Sequence, residues 1–260
     1  LLDVRKLTGP RFRDITFQVH KGEILAFSGL VGAGRSEVAR AIFGADVFTS
    51  GEITFDGRSG RIPSPQAAIR AGIAMVPEDR KVLSLFMNMS IEHNITLAEL
   101  PYMSKGVTSN AAERRLARSM ADSLDIRLNQ LTDPVSSLSG GNQQKTVLGR
   151  WLATRPKLMI LDEPTHGVDV GAKSEIYALI RALAAEGMGV ILISSELPEV
   201  LALAHRIVVM HEGRVTGILP RSEAGEEVLM AYATGVRDDF ATGPDLTLAD
   251  QPKTEGGQVS

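Results

Sequence analysis

Leu138 to Asp169 reads LSGGNQQKTVLGRWLATRPKLMILDEPTHGVD. Two phosphate-handling elements stand in this stretch in a fixed order. Ser139, Gly140 and Gly141 precede polar Asn142, Gln143, Gln144 and Lys145 and a helical run ending near Trp151. A helix opened this way turns its free N–H groups and positive dipole end toward an anion. The apolar run Leu158 to Leu161 then stops abruptly at Asp162 and Glu163. That pattern reads as a buried parallel strand whose carboxylates emerge at the carboxyl edge, where open α/β sheets bind ligands. Such a strand calls for a phosphate loop elsewhere in the chain.

Gly29-Leu30-Val31-Gly32-Ala33-Gly34-Arg35-Ser36 supplies that loop, between the apolar strand Ile24 to Phe27 and the helical run Glu37 to Phe43. The spacing fits G-x-x-x-x-G-K-[ST], in which backbone N–H groups cradle phosphates and the hydroxyl reaches Mg²⁺. Arg35 stands where the pattern has Lys. Arginine keeps the charge but spreads it over a planar fork, so the two are not equivalent in a tight loop.

With these motifs in this order, the chain resembles the nucleotide-binding domain of an ATP-binding-cassette (ABC) transporter. GLVGAGRSE, PEDRK, LSGGNQQK, LDEPTHGVDVGAK and ISSELPEV look more narrowly like the second, C-terminal cassette of two-cassette sugar-importer ATPases of the ribose, galactose and xylose type. The resemblance covers roughly Leu1 to Gly235. It implies an α/β cassette of the P-loop NTPase type: a RecA-like, mostly parallel core sheet, an antiparallel β subdomain and a helical signature subdomain at about 83–150. Residues 236–260, poor in apolar side chains, read as a flexible tail.

The same resemblance assigns a site for ATP and Mg²⁺. Gly29 to Glu37 would hold the nucleotide, Ser36 and Asp162 the metal, and Glu163 would polarise the attacking water. Two further positions depart from the family. Glu78 stands where a strand usually ends in Gln, at the Q-loop, and Ser195 stands where working cassettes place the switch His. For Glu78 a solvated charged turn remains an equal reading, given the charges of Glu78 to Lys81. Each departure forfeits ~2–4 kcal/mol of transition-state stabilisation, by analogy with removing one preorganised donor. Arg35, Glu78 and Ser195 together predict a degenerate site. Ser139, Gly140 and Gly141 are unaltered, and with Asp169 they would complete the nucleotide site of a partner cassette.

Composition narrows the alternatives. Of 260 residues, 43% are hydrophobic, enough for a core, and cysteine is absent, which leaves no disulfide framework or thiolate metal site. A net charge of −3 gives no basic footprint for nucleic acid. No apolar run approaches the ~20 residues that span a bilayer, and no stretch of this sequence reads as a signal peptide. The chain begins Leu1-Leu2 without an initiator Met and reads as a piece of a longer polypeptide. The expected partners are an N-terminal cassette in that polypeptide, a sugar permease in the inner membrane and, indirectly, a sugar-binding protein. The expected location is the cytoplasmic face of the bacterial plasma membrane. The alternative is a soluble ABC ATPase acting on DNA or ribosomes. The DNA-repair members carry long coiled coils between phosphate loop and signature, and no sustained heptads occur here.

The remaining segments follow local patterns. Leu1 to Val19 and Gly51 to Arg58 alternate as antiparallel strands; Pro65 to Ala71 reads as a helix and Ile73 to Val76 as a strand. Leu83 to Leu131 reads as mostly helical, with Ser90 or Asn88 as N-cap. Gly171 to Ala185 and Ser222 to Ala233 read as helices, and Val190 to Ile193 and Arg214 to Leu219 as strands. Phe12 is the nearby aromatic for an adenine ring, or else a core residue. Glu78 to Asn94 is expected to contact the permease, with Arg80 and Lys81 exposed. Met87, Met89 and Met103 line that groove or fill the core. Trp151 is expected in the core and His166 on an exposed loop.

Overall fold

The computed structural model describes residues 1–103 and 109–240. The strands β1 (Leu2–Gly9) and β2 (Phe12–Val19) form an antiparallel hairpin. After β3 (Ile24–Gly29) and α1 (Arg35–Ile42), the chain returns beside β1 as β4 (Ser50–Phe55) and β5 (Arg58–Ser59). This four-stranded sheet has the order β2-β1-β4-β5. Then come α2 (Pro65–Ala71), β6 (Ile73–Val76), a π-helical turn at Arg80–Ser84, α3 (Ile91–Thr96), α4 (Leu100–Met103), α5 (Asn110–Ser123) and α6 (Gly140–Ala153). The last part runs β7 (Leu158–Asp162), α7 (Val170–Ala185), β8 (Gly189–Ile193), α8 (Leu197–Leu203), β9 (Arg206–His211), β10 (Arg214–Pro220) and α9 (Glu226–Ala233).

The core sheet has six strands in the order β10-β9-β3-β8-β7-β6. Its neighbours are parallel except for β10, which pairs antiparallel with β9. The fold is therefore an α/β cassette of P-loop type with a mostly parallel sheet. Strand alternation divides the core between the two faces. Ile24, Ala26, Met159 and Leu161 pack toward α6, α7 and α9, while Leu25, Phe27, Leu158 and Ile160 pack toward α1 and the antiparallel sheet. Trp151 bridges both clusters and meets Phe43 edge-on at 5.9 Å.

The stretch Leu83 to Leu131 is less helical than its pattern suggests: no helix occupies Leu85 to Ser90. There a side-chain network replaces the helical ladder. Asn94 Oδ1 accepts from the Phe86 N–H at 3.0 Å, and Asn94 Nδ2 donates to the carbonyls of Phe86, Met89 and Ser90. Buried Arg150 on α6 donates to the carbonyls of Ser84 and Asn94 and to Asn94 Oδ1. Ser90 caps α3. The expected closing helix is divided, a 3₁₀ turn at Arg221–Glu223 preceding α9.

The first residues of the expected tail are anchored. The Asp239 N–H donates to the Thr216 carbonyl at 2.9 Å, Tyr232 bonds Asp239, and Phe240 packs on the core. Residues 241–260 of that tail, and the Met103 side chain, lie outside the described residues.

Candidate functional site

The strand order puts four chemically distinct chain segments in one row. Because β3, β8, β7 and β6 are parallel neighbours, their carboxyl ends emerge along the same sheet edge. These ends deliver, side by side, the loop from Gly29, the pair Ser194-Ser195, the acids Asp162-Glu163, and Glu78.

The loop is built on glycines in backbone conformations that a side chain would strain. Gly29 has φ +145°, and a Cβ there would stand 2.3 Å from the Met210 carbonyl oxygen. Gly34, at φ +95°, is the N-cap of α1 and lies against the Arg11 carbonyl. Gly32 has nothing within 4 Å of where its Cβ would be, while Leu30 and Val31 are exposed at the tip. α1 starts at Arg35, two residues before the expected Glu37, because the turn ends at Gly34. Ala33 and Gly34 are buried beneath the tip, and Ser36 and Glu37 are half-buried on the first turn of α1.

Arg35 points inward. Its guanidinium is buried, Nη1 donates to the Ser194 carbonyl at 2.7 Å, and Nη2 lies 4.0 Å from Glu163 Oε1. Burial holds its pKa below the usual arginine value, against the nearby carboxylates of Glu163, Asp162 and Glu78. Glu163 adopts φ +49°, in the left-handed region that costs a side-chain-bearing residue roughly 1–2 kcal/mol. There its Oε1 accepts the Ser195 N–H at 2.7 Å. Arg35, Ser194, Ser195 and Glu163 thus form one closed set. Ser195 meets Glu163 through its backbone.

Asp162 is buried at the end of β7, and burial pushes its carboxyl up to about 6, while the Ser36 hydroxyl facing it acts in the opposite direction. Its Oδ1 is buried without a hydrogen-bond partner. An orphaned carboxylate oxygen beside a hydroxyl suits a divalent cation, so Mg²⁺ fits the pair Ser36 and Asp162. Glu78 is exposed at the neighbouring strand end, close enough for its charge to bear on Arg35 and Asp162.

Ser139, Gly140, Gly141 and Asp169 lie apart from this edge, where α6 and α7 begin together. Ser139 caps α6, its Oγ accepting from the Asn142 N–H at 3.4 Å and also from Asn142 Nδ2 at 2.9 Å, and Asp169 caps α7 by accepting from the Ala172 N–H at 3.0 Å. Both residues are exposed and flank an open cleft of about 190 Å³, lined also by Gly141, Gly171 and Arg127. Gly141 has a packing reason as well: a Cβ there would stand 2.5 Å from Ala172 Cβ. The two sets of expected site residues therefore occupy two separate regions of the chain.

The remaining expectations resolve one by one, and the exposure expected of Arg80 is corrected. Phe12 is 3% exposed and lies over Gly9, so it is a core residue and presents no face to a base. Arg80, expected on the surface, is 9% exposed and bonds the carbonyls of His166 and Gly167; Lys81 is exposed. Met87 packs against the core and Met89 is exposed. His166 is exposed, as its loop position implies. His205 accepts from the Ile24 N–H at the opposite end of β3, away from the site. Sequence reasoning also missed Glu199. This buried carboxylate accepts from Thr165 Oγ1 at 2.9 Å and lies beside Ser194, joining the loops after β7 and β8. Its partner Thr165 lies 34 residues away in the chain, so no local pattern marks it.

Residues 12–166 match the family model described as ABC transporter. A ribose import ATP-binding protein of Streptomyces avermitilis is 52% identical over 236 residues, covering 90% of this chain and 47% of that protein. One from Rhodococcus jostii is also 52% identical, over 86% of this chain and 45% of its own length. The chain thus spans about half the length of the curated relatives it matches. A solved structure described as the ATP binding subunit of an ABC transporter is 26% identical with a TM-score of 0.73, covering 90% of this chain and 99% of that one. An ATP-binding cassette of an ABC transporter, 22% identical over 91% of this chain and 98% of its own, superposes with a TM-score of 0.77 and shares the fold.

Proposed function

The chain belongs to the ABC transporter family, and from that premise we propose that it is the second ATP-binding cassette of a sugar importer. In this reading it forms an ATPase with an N-terminal cassette of the same polypeptide and drives a membrane permease fed by a sugar-binding protein. Its own nucleotide site is degenerate, and its signature edge completes the partner's site. Residues 1–235 make up the cassette, with the helical part at about 83–150. Nucleic acid has no role in this reading.

One observation carries the degenerate-site reading: Glu163 is engaged by the Ser195 N–H at 2.7 Å while Arg35 is turned toward Ser194 and Glu163. In the proposed mechanism, the N–H groups of Gly32 to Ser36 bind the phosphates of ATP in this cassette. Ser36 and Asp162 would hold Mg²⁺, which would supply charge neutralisation toward the phosphates when bound. Glu163 is the candidate base, but its Oε1 is engaged by the Ser195 N–H, which leaves Oε2 alone to meet a water and makes it a weaker base. Without a switch imidazole, no side chain from Ser195 compensates. The site holds nucleotide and turns it over slowly.

Across the dimer, Ser139 and the N–H groups of Gly140 and Gly141 face the nucleotide held by the partner's phosphate loop. Asp169 fixes the turn beside them. The permease docks on the exposed apolar side chains Val82, Leu83 and Phe86, which border the helical part. Among the described residues no helix is long and apolar enough to cross a membrane; in this reading the permease supplies the path for the solute. The proposal places the cassette on the cytoplasmic face.

The experiment is reconstitution of the complete two-cassette protein with its permease and binding protein in liposomes. ATP-dependent uptake of a pentose or hexose is expected. Robust ATP turnover without permease association, stimulated by ribosomes or DNA, would instead support the soluble alternative.

A further inference from the structure

PEDRK reads as a charged surface turn, yet its arginine faces inward. Asp79 fixes the backbone first: Oδ1 accepts the N–H groups of Lys81 and Val82 at 2.9 and 3.1 Å and starts the π-helical turn Arg80–Ser84. From the first residue of that turn the Arg80 side chain passes under the signature helix. Nη1 donates to the His166 carbonyl at 2.7 Å, and Nη2 donates to the Gly167 carbonyl at 3.0 Å. Nη2 also lies 3.1 Å from where a Cβ on Gly140 would stand. One guanidinium therefore joins the π-helical turn that carries it to the turn between Glu163 and Asp169, and lies beside the first residue of α6. The same π-turn carries Val82 and Leu83 outward, 76% and 65% exposed.

We propose that Arg80 is a positioning residue that ties the permease-facing turn to the signature edge, holding Gly140 and the Asp169 turn in the geometry needed by the partner cassette's nucleotide. Its fork satisfies two adjacent carbonyls at once, which a lysine ammonium cannot match with the same geometry. Gly167, at φ +66°, turns the backbone so that both carbonyls face the fork. Gly140 leaves the space that Nη2 fills, so the signature glycine serves the clamp as well as the phosphate-facing edge. The hydrogen-bond partners of Arg80 are backbone carbonyls, so the proposed influence is through these neighbours. A displacement of the permease-facing turn reaches the signature edge through a short, stiff link, with the coupling free energy carried by a defined contact. The inference rests on the composite-site reading, because only a partner's nucleotide feels the signature edge.

The test uses the complete transporter, with Arg80→Gln, Arg80→Lys and Ser139→Arg compared in parallel. ATP first docks on the partner's phosphate loop, which Arg80 does not touch. Arg80→Gln is therefore expected to lower kcat about tenfold with KM for ATP within about twofold, and Arg80→Lys to fall between. Stimulation of turnover by the sugar-loaded binding protein should also fall toward the basal rate, whereas a merely structural defect lowers the active fraction and leaves that ratio unchanged. Wild-type kcat and stimulation in folded Arg80→Gln, while Ser139→Arg is inactive, overturn the clamp and leave the composite reading standing. Loss explained wholly by unfolded protein, with normal stimulation in what remains and in Arg80→Lys, also overturns it. Should Ser139→Arg keep full turnover, the composite reading fails and the clamp fails with it.

Discussion

The phosphate-loop edge and the signature edge of this cassette carry similar kinds of groups: helix-starting N–H donors, a serine, and a carboxylate. At the first edge these groups are turned on one another, with Arg35 bonded to Ser194, Glu163 to the Ser195 N–H, and Asp162 facing Ser36. At the second, Ser139 and Asp169 use one oxygen each to cap α6 and α7 and still border an open cleft. Motif residues thus have different consequences depending on whether the fold spends them internally or leaves them facing outward. In the proposed reading the first edge holds nucleotide and the second engages a partner.

Perturbing the two edges separately should give unequal effects. The largest is expected from Ser139→Arg, which removes a hydroxyl and puts a bulky cation at the start of α6. Steady-state turnover of the complete protein should fall by at least about a hundredfold, the scale of losing a preorganised oxyanion donor. A smaller loss, about tenfold or more in sugar uptake and in permease co-purification, is expected for Leu83→Asp with Phe86→Asp, the scale of removing interface anchors. Those side chains are exposed, so circular dichroism and the melting temperature should stay close to wild type. If uptake is normal, the permease docks elsewhere. Arg35→Ala confines its damage to the first edge and should lower turnover by less than about tenfold, or about 1.4 kcal/mol. A purified sample of this chain alone should hydrolyse ATP near background, since both edges then lack a partner.

The smallest effect concerns Glu199, which touches Thr165 on one side and Ser194 on the other. Burial, assisted by the charges of Glu196 and Glu163, raises its carboxyl above the usual glutamate range. The folded protein therefore keeps this proton to higher pH than the unfolded chain does, and relative stability declines as pH rises through the folded value. Glu199→Gln retains an acceptor for Thr165 without the charge. Its melting temperature should match or exceed wild type near pH 7, with the difference shrinking toward about pH 5. A variant that loses stability most at neutral pH would contradict this assignment.

Much of the architecture was legible because its signals are local. Alternation marks β1, β2 and β4, a continuous apolar run marks β7, Ser64 and Pro65 mark the start of α2, and the Gly29 to Ser36 spacing marks the turn into α1. The order of strands was not visible in any such pattern, yet inserting β8 between β3 and β7 is what brings Ser194 to Arg35. Arg80 was misread for a related reason. Its partners are backbone carbonyls at His166 and Gly167, and a carbonyl leaves no mark on residue identity. Leu85 to Ser90 looked helical because its apolar content could not reveal that Asn94 and Arg150 would satisfy the backbone instead.

The most direct test of the unequal edges is Glu163→Gln in the complete two-cassette protein with its permease. Turnover and sugar uptake are measured at saturating ATP with expression matched. The substitution keeps the shape of the side chain and removes its capacity as a base in this cassette's own site alone. The account predicts turnover and uptake within about tenfold of wild type. Loss as complete as that of Ser139→Arg would contradict it, because this cassette's own site would then be a working one.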